Sequence, residues 1–86
     1  MKVKVRKPSE DEIKKMESWP IWTKEVSEFD WSYDSKETCY LLKGEVDVET
    51  PDGVVHFEAG DLVVFPEGLD CVWKVKKPVK KHYNFG

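Results

Sequence analysis

The sequence predicts one all-β domain, a small sandwich or barrel, with a single short helix near its N-terminus. Many short runs alternate apolar and polar residues with the two-residue period of strands, and turn residues separate them at regular spacing. Four Trp, three Tyr and four Phe supply large apolar side chains for a core. A chain of 86 residues buries only a little over ~60% of its unfolded surface. Residues 1–86 are therefore expected to form one domain.

The N-terminal segment combines a strand with the helix. Two valines alternate with basic residues, which predicts a short edge strand within Met1–Lys7. Ser9 and Glu12 have the spacing of a capping box and precede a short apolar stripe, which predicts a helix over Ser9–Ser18 before Pro20. A lone amphipathic helix must bury its stripe, so this one is expected to cover an open end or face of the barrel.

Two strands are predicted directly after the helix. Ile21–Val26 and Phe29–Tyr33 are expected to pair with each other. Successive side chains of a strand point to opposite faces. The second of these strands therefore places Phe29, Trp31 and Tyr33 on one face.

Six more strands follow, separated by turn signals. They are predicted at Thr38–Leu42, Glu45–Thr50, Val54–Glu58, Leu62–Phe65, Cys71–Val75 and Val79–Phe85. Lys43 and Gly44 are expected to form a tight hairpin. Pro51, Asp52 and Gly53 have the residue types of a type I turn followed by a left-handed glycine.

Composition excludes several classes of partner. The formal charge of −3 combines 17 acidic with 14 basic residues and leaves no basic stripe for a phosphate backbone, so nucleic acid is not expected. No apolar run approaches the ~20 residues that span a bilayer, and the first residues do not resemble a signal peptide. No membrane partner and a cytoplasmic location are therefore expected. Abundant Lys and Glu with no Gln is a balance typical of thermostable proteins.

Two cysteines without a secretion signal favour reduced thiols. A disulfide between Cys39 and Cys71 remains geometrically possible at this point. The preferred interpretation is that both are small buried side chains of the barrel wall, because free cysteine is among the most buried residue types.

Two motifs dominate the centre of the chain. The first spans about residues 29–44 and contains Glu37 followed by six residues and a glycine; the second spans about 60–75 and reads glycine, five residues, Pro-x-Gly, two residues and Cys71. Together they resemble the two motifs of the cupin superfamily. With the Lys-His-Tyr ending they are similar to the small single-domain cupins related to ureidoglycine aminohydrolase and to the ethanolamine-utilisation cupin. The resemblance implies an RmlC-like jelly-roll β-barrel, with Glu37, Cys39 and Leu41 facing its interior.

The resemblance also indicates what this chain lacks. Metal-binding cupins carry His-x-His before the glutamate and a third histidine after Pro-x-Gly, and those positions hold Trp31, Tyr33 and Cys71 here. A first-row metal needs three or four converging imidazole, thiolate or carboxylate ligands. No metal cofactor is therefore expected. The alternative metal site would consist of Glu37, Cys39, Cys71 and His82.

An aromatic pocket is predicted in place of a metal centre. The candidate ligand-binding residues are Trp31, Tyr33, Glu37, Cys39, Cys71, Trp73 and His82. Trp31, Tyr33 and Trp73 would form a cage or stacking platform for a small planar or cationic ligand, with Glu37 as its polar anchor. Plain core packing would bring the same aromatic side chains together. The preferred function is metal-free binding of a small molecule.

Glu37 also supports an enzymatic alternative. A carboxylate in an aromatic interior loses hydration, and it could act as a general acid or base unless Tyr33, an indole N–H or a backbone amide satisfies it. Tyr33 or Cys71 would then assist a hydrolytic, lyase or isomerase-type step on a small metabolite. Cys71 is a weak nucleophile in this scheme, because no cation near it is evident from the sequence. His56 is interpreted as a surface residue, and the lysines around His82 as a solvated edge.

The expected partners are a small-molecule ligand and a second copy of the chain. Cupins commonly dimerise by sheet packing. Leu41 and Leu42 lie on opposite faces of one predicted strand, which is compatible with burial on both sides. A homodimer is therefore expected.

Overall fold

A computed structural model describes residues 2–86, so the Met1 end of the predicted edge strand lies outside the described residues. Residues 2–86 form one helix and seven strands. In chain order these are β1 (Lys4–Arg6), α1 (Glu10–Met16), β2 (Ile21–Lys24), β3 (Ser27–Ser32), β4 (Glu37–Thr50), β5 (Gly53–Glu58), β6 (Leu62–Phe65) and β7 (Asp70–Phe85). The predicted all-β class with one short helix is confirmed.

All seven strands belong to one antiparallel sheet, in which the order is β1-β6-β4-β7-β2. β5 pairs with the second half of β4, and β3 pairs with the first half of β7. β4 and β7 are the longest strands and run side by side along the centre of the sheet. The described strands do not close into a ring, so the barrel is open at its edges.

The two halves of the sheet pack face to face around the core. Phe57 of β5 and Phe65 of β6 lie in different halves, and their ring centroids are 5.8 Å apart. Both rings lie 5.6 Å from the ring of Trp73. The other fully buried apolar side chains of the core include Cys39, Leu41, Val46, Val48, Val63 and Leu69. The aromatic core that composition predicts is therefore present where the sheet folds over itself.

Gly44 lies where the sequence predicts a tight hairpin, and that prediction is wrong. β4 continues through Gly44, and its register with β7 shifts three times between Leu41 and Val46. Gly44 has a φ of +112°, and a Cβ there would lie 2.8 Å from the carbonyl oxygen of Pro78. The glycine therefore permits a bulge that bends the strand instead of reversing it.

The predicted strands Cys71–Val75 and Val79–Phe85 are parts of one strand, β7. The predicted separation of these two strands is therefore wrong. Proline has no N–H for a ladder hydrogen bond and is tolerated in sheets at edges and bulges. Pro78 lies against the Gly44 bulge, where the register of the two strands already shifts.

The predicted pairing of the first two sheet strands is also wrong. β2 and β3 both pair with β7, in the registers Ile21↔His82 and Ser27↔Val75. These registers differ by only one residue, so the two strands follow one another along β7. The connection through Glu25 contains no glycine, proline or asparagine, and the chain runs on instead of turning back. β5 and β6 follow one another along β4 in the same way.

The predicted helix is present and begins with the predicted cap. Ser9 Oγ accepts a hydrogen bond from the Glu12 N–H at 3.2 Å, and Glu12 Oε1 accepts one from the Ser9 N–H at 2.9 Å. Arg6 of β1 donates to the same carboxylate, which lowers the pKa of Glu12 to about 2. Met16 at the end of the helix is buried. No helix within residues 2–86 is long and apolar enough to span a membrane.

His56 lies on the surface as predicted, and its ring contacts an acidic neighbour across the β4–β5 hairpin. Its Nδ1 lies 2.6 Å from Asp47 Oδ1, and this contact raises the pKa of His56 above its ordinary 6.5. Because the pKa of His56 is higher in the folded state, its contact with Asp47 stabilises the fold fully below pH 6.5. This stabilisation is lost as the pH rises through the pKa that His56 has in the folded protein. Because His56 is half exposed, the effect on stability is small.

We expect an NMR titration of the His56 ring to show a pKa above 6.5 in the wild-type protein. In Asp47→Asn the pKa should fall back toward 6.5, because the strongest partner of the imidazolium is gone. The ring of the other histidine, His82, lies elsewhere in the fold and contacts the carbonyl oxygen of Trp19, so its NMR signal is a separate one. Identical titration curves for His56 in both proteins would contradict this assignment.

Candidate functional site

A cleft of about 220 Å³ opens on the sheet where β2, β3 and β7 meet. Its walls are aromatic and consist of Trp22, Phe29, Trp31, Tyr33 and Trp73. Tyr83 and Phe85 from the end of β7 complete its rim, while Glu37 and Lys81 lie at its floor. Phe85 is 47% exposed and Glu37 only 3%, so the cleft runs from solvent into the core.

The aromatic wall follows from the two-residue period of β3 and the residue after it. Phe29, Trp31 and Tyr33 share one face, as the sequence predicts, and successive rings lie 6.5 Å and 6.4 Å apart. The ring of Phe29 stacks on Trp73 of the neighbouring strand β7, with centroids 5.9 Å apart and planes at 17°. Cross-strand aromatic pairs of this kind stabilise a sheet and hold its ring faces in place.

The floor of the cleft is a buried ion pair. Lys81 Nζ donates to Glu37 Oε2 at 2.9 Å, and the two side chains are 5% and 4% exposed. The ammonium also lies 4.8 Å from the ring centroids of both Trp22 and Trp73. Removing two charges from water is costly, and here the ion pair and the two aromatic faces offset that cost.

The sequence interpretation missed five residues of the cleft, which are Trp22, Phe29, Lys81, Tyr83 and Phe85. Lys81 is the charged one among them. Its lysine-rich segment was expected to be a solvated edge, and for Lys81 that expectation is wrong, because the residue is only 4% exposed. The sequence interpretation named Tyr33, an indole N–H or a backbone amide as possible partners of Glu37, and the partner is the Lys81 ammonium. The available signal was the strand period, since Lys81 is two residues beyond the apolar Val79 and shares its face.

Tyr33 contributes a hydroxyl to the inner wall. Its Oη accepts a hydrogen bond from the indole Nε1 of Trp73 at 3.2 Å. Burial raises the pKa of Tyr33 far above its ordinary value, and the negative charge of Glu37 raises it further. Tyr33 is therefore a neutral phenol that donates or accepts hydrogen bonds and does not serve as a base.

The two cysteines lie apart from the described lining of the cleft. Cys39 is fully buried in the core, and burial raises its pKa to about 12. Cys71 donates a long hydrogen bond of 3.5 Å to the carbonyl oxygen of Trp31. Burial raises the pKa of Cys71 to about 11, with further contributions from the charges of Asp70 and Glu37. Both cysteines are free thiols, and neither environment generates a thiolate nucleophile at neutral pH.

His82 also points away from the floor of the cleft. Its Nδ1 donates to the carbonyl oxygen of Trp19 at 2.9 Å, and the residue is 6% exposed. Adjacent residues of a strand face opposite sides, so His82 and Lys81 project from β7 in opposite directions. Of the predicted site residues, the cleft brings together Trp31, Tyr33, Glu37 and Trp73, and leaves out Cys39, Cys71 and His82.

The residues of the cleft do not match the metal-binding pattern of histidine-bearing cupins. Within residues 2–86, no three His, Cys, Asp or Glu side chains converge closely enough to hold a metal ion. Glu37 is paired with a cation of the protein itself, and that ammonium would repel a metal at the same carboxylate. The alternative site of Glu37, Cys39, Cys71 and His82 is therefore not assembled.

The sequence and the structure of this chain are similar to those of small cupins. The model of the EutQ-like cupin domain family matches residues 12–83. The solved structure of a DUF861 family protein from Thermotoga maritima is 57% identical, covers 99% of this chain and 100% of its own, and superposes with a TM-score of 0.94. No curated protein matches the chain.

More distant structures share the fold. The EutQ protein of Clostridium difficile is 22% identical over 76% of this chain, with a TM-score of 0.70, and this chain spans only 52% of its length. A protein of unknown function, DUF1255, from Acidithiobacillus ferrooxidans is 20% identical, with a TM-score of 0.68 and coverage of 72% of this chain and 60% of its own. These similarities confirm the predicted jelly-roll fold.

Proposed function

This chain belongs to the EutQ-like cupin domain family, and from that premise we propose that it is a metal-free binding module for a small planar organic molecule. The observation that supports the proposal is the aromatic cleft with the Glu37–Lys81 ion pair at its floor. Concave apolar sites with a few convergent polar groups are the usual form of small-molecule sites. The module would act as a sensor or an accessory subunit.

The size of the cleft and its walls favour a one-ring ligand. Sites for drug-sized ligands occupy about 300–1,000 Å³, and this cleft of about 220 Å³ is smaller. Several ring faces line it, which suits the stacking of a flat molecule. A cationic ligand is disfavoured, because the Lys81 ammonium already lies over the rings of Trp22 and Trp73.

A screen of planar one-ring metabolites by tryptophan fluorescence and by ligand-observed NMR tests the proposal. A genuine ligand should raise the melting temperature by mass action and bind about two- to tenfold more weakly to Trp31→Ala, since a stacked ring contributes ~0.5–1.5 kcal/mol. Val54→Ala is the matched control, because Val54 is exposed and lies near the tip of the β4–β5 hairpin. Equal affinity in the wild type and Trp31→Ala would place binding outside the cleft.

A second candidate function is enzymatic, with Glu37 as general acid or base. One contact favours it: the Glu37 carboxylate lies 2.9 Å from the Lys81 ammonium. Tyr33 lines the same cleft and could supply a hydroxyl group. Any compound that binds should be incubated and checked for turnover. Catalysis requires that Glu37→Gln abolish turnover and that Trp31→Ala retain it with a raised KM. Unchanged turnover in Glu37→Gln would refute this candidate.

We further propose that the chain is a homodimer. Ile21, Trp31 and Phe85 are exposed large apolar side chains, and their exposure supports a covered surface in solution. Light scattering coupled to size-exclusion chromatography should give about twice the chain mass of 10.1 kDa. A 10.1 kDa species across the micromolar range would contradict the dimer.

We also propose that the protein is cytoplasmic and thermostable. The two buried free thiols support a reducing compartment, and the Lys- and Glu-rich surface supports thermostability. Thermal unfolding under reducing conditions should have a midpoint above the ~45–65 °C of mesophile domains. A midpoint inside that range would refute thermostability.

A further inference from the structure

The floor of the cleft carries unused hydrogen-bonding capacity of both kinds. An ammonium has three N–H donors, and Lys81 directs one of them to Glu37 Oε2. A carboxylate has two acceptor oxygens, and the contact with Lys81 engages only Oε2 of Glu37. A ligand that reaches the floor therefore meets a donor and an acceptor side by side.

The floor is also electrically balanced. Glu37 and Lys81 compensate each other in a site where both side chains are almost fully buried. A charged ligand would gain little net attraction from this compensated pair, and it would still lose its hydration in a buried site. Charge balance therefore selects a neutral ligand.

We propose that the cleft recognises neutral planar molecules in which an N–H is adjacent to a C=O on one edge, as in lactams, cyclic imides and pyrimidine-type rings. The N–H donates to Glu37 and the C=O accepts from Lys81, whose paired atoms are 2.9 Å apart. The flat ring stacks between the aromatic walls. This inference rests on the proposed binding function and names the chemical class of its ligand.

Four one-ring probes test the ligand class by calorimetry and ligand-observed NMR. Uracil has the N–H and C=O edge, and 1,3-dimethyluracil keeps the ring and carbonyls but has no N–H. Benzoate and benzyltrimethylammonium are the anionic and cationic probes. Uracil should bind, and 1,3-dimethyluracil should bind at least about tenfold more weakly, because a hydrogen bond to a charged group is lost. Both charged probes should bind more weakly than uracil.

A double variant tests whether the ion pair is responsible. Glu37→Leu/Lys81→Met removes both polar groups together and leaves no buried charge unpaired, so the fold is retained. It should bind uracil and 1,3-dimethyluracil with similar affinities. Lys80→Met is the control, since Lys80 precedes Lys81 on the opposite face of β7, and it should preserve the wild-type preference.

The outcomes separate this inference from the binding function itself. Equal binding of uracil and 1,3-dimethyluracil to the wild type, or tighter binding of a charged probe, would overturn the ligand class and leave the binding function intact. Failure of all four probes would also overturn the ligand class. The binding function fails only if the wider screen of planar metabolites yields no ligand sensitive to Trp31→Ala.

Discussion

Replacing Lys81 by methionine should lower the free energy of unfolding by ~3–5 kcal/mol, the usual cost of breaking a buried ion pair by removing one partner. The variant leaves the Glu37 carboxylate only 3% exposed and without its donor. It also removes the ammonium that contacts the faces of Trp22 and Trp73. A domain of this length has roughly 4–13 kcal/mol of stability in total, so the loss is a large fraction.

Urea unfolding followed by tryptophan fluorescence measures this effect. Glu37→Leu/Lys81→Met should recover most of the loss, because replacing a buried pair by apolar side chains is often neutral or stabilising. Lys80→Met should remain within about ±0.5 kcal/mol of the wild type, as is usual for residues outside the core. A loss below ~1 kcal/mol in Lys81→Met would show that water reaches the pair and that the floor is not dry.

The Glu37–Lys81 pair shows which part of the site can be predicted from the sequence. Glu37 stands out through its motif. The two-residue period places it on one face with Cys39 and Leu41, and the resemblance to cupins implies that this face points inward. The partner of Glu37 is 44 residues away on another strand. The register of β4 with β7 places Lys81 opposite Leu41, on the face that Glu37 shares, and the lysine side chain reaches the carboxylate from there. A local pattern of lysines is typical of a solvent-exposed edge. Lys81 is buried instead, because of how β4 and β7 pair, and sequence periodicity does not predict the register between distant strands.

The fold was predictable where the signal was local. The Ser9 cap with Glu12, the alternation of β3 and the turn before Gly53 each depend on neighbouring residues, and each is present. The strand pairing was predicted wrongly where the chain bends without reversing. Gly44 and Pro78 have the residue types of turns, yet the two lie against each other at one bulge between long strands.

Because of this bulge, we expect Gly44→Ala to lower the free energy of unfolding by ~2–6 kcal/mol. A φ of +112° is strained for any residue with a Cβ, which costs of order 1–3 kcal/mol. The added Cβ would also lie 2.8 Å from the Pro78 carbonyl oxygen and 2.9 Å from Val79 Cα. Both are backbone atoms of a central strand, so relief requires β4 and β7 to separate, at a further ~1–3 kcal/mol.

Gly53→Ala is the matched control, because it separates backbone strain from the steric clash. Gly53 has a similar φ of +128°, but a Cβ there would meet nothing within 4 Å. Its loss should be limited to the strain, ~1–3 kcal/mol, and the difference between the two variants then measures the close packing at the bulge. Equal losses would mean that the strands separate freely at Gly44. In that case the bend would not hold the register that places Lys81 opposite Leu41, on the face of Glu37, and the cleft floor would depend on the ion pair alone.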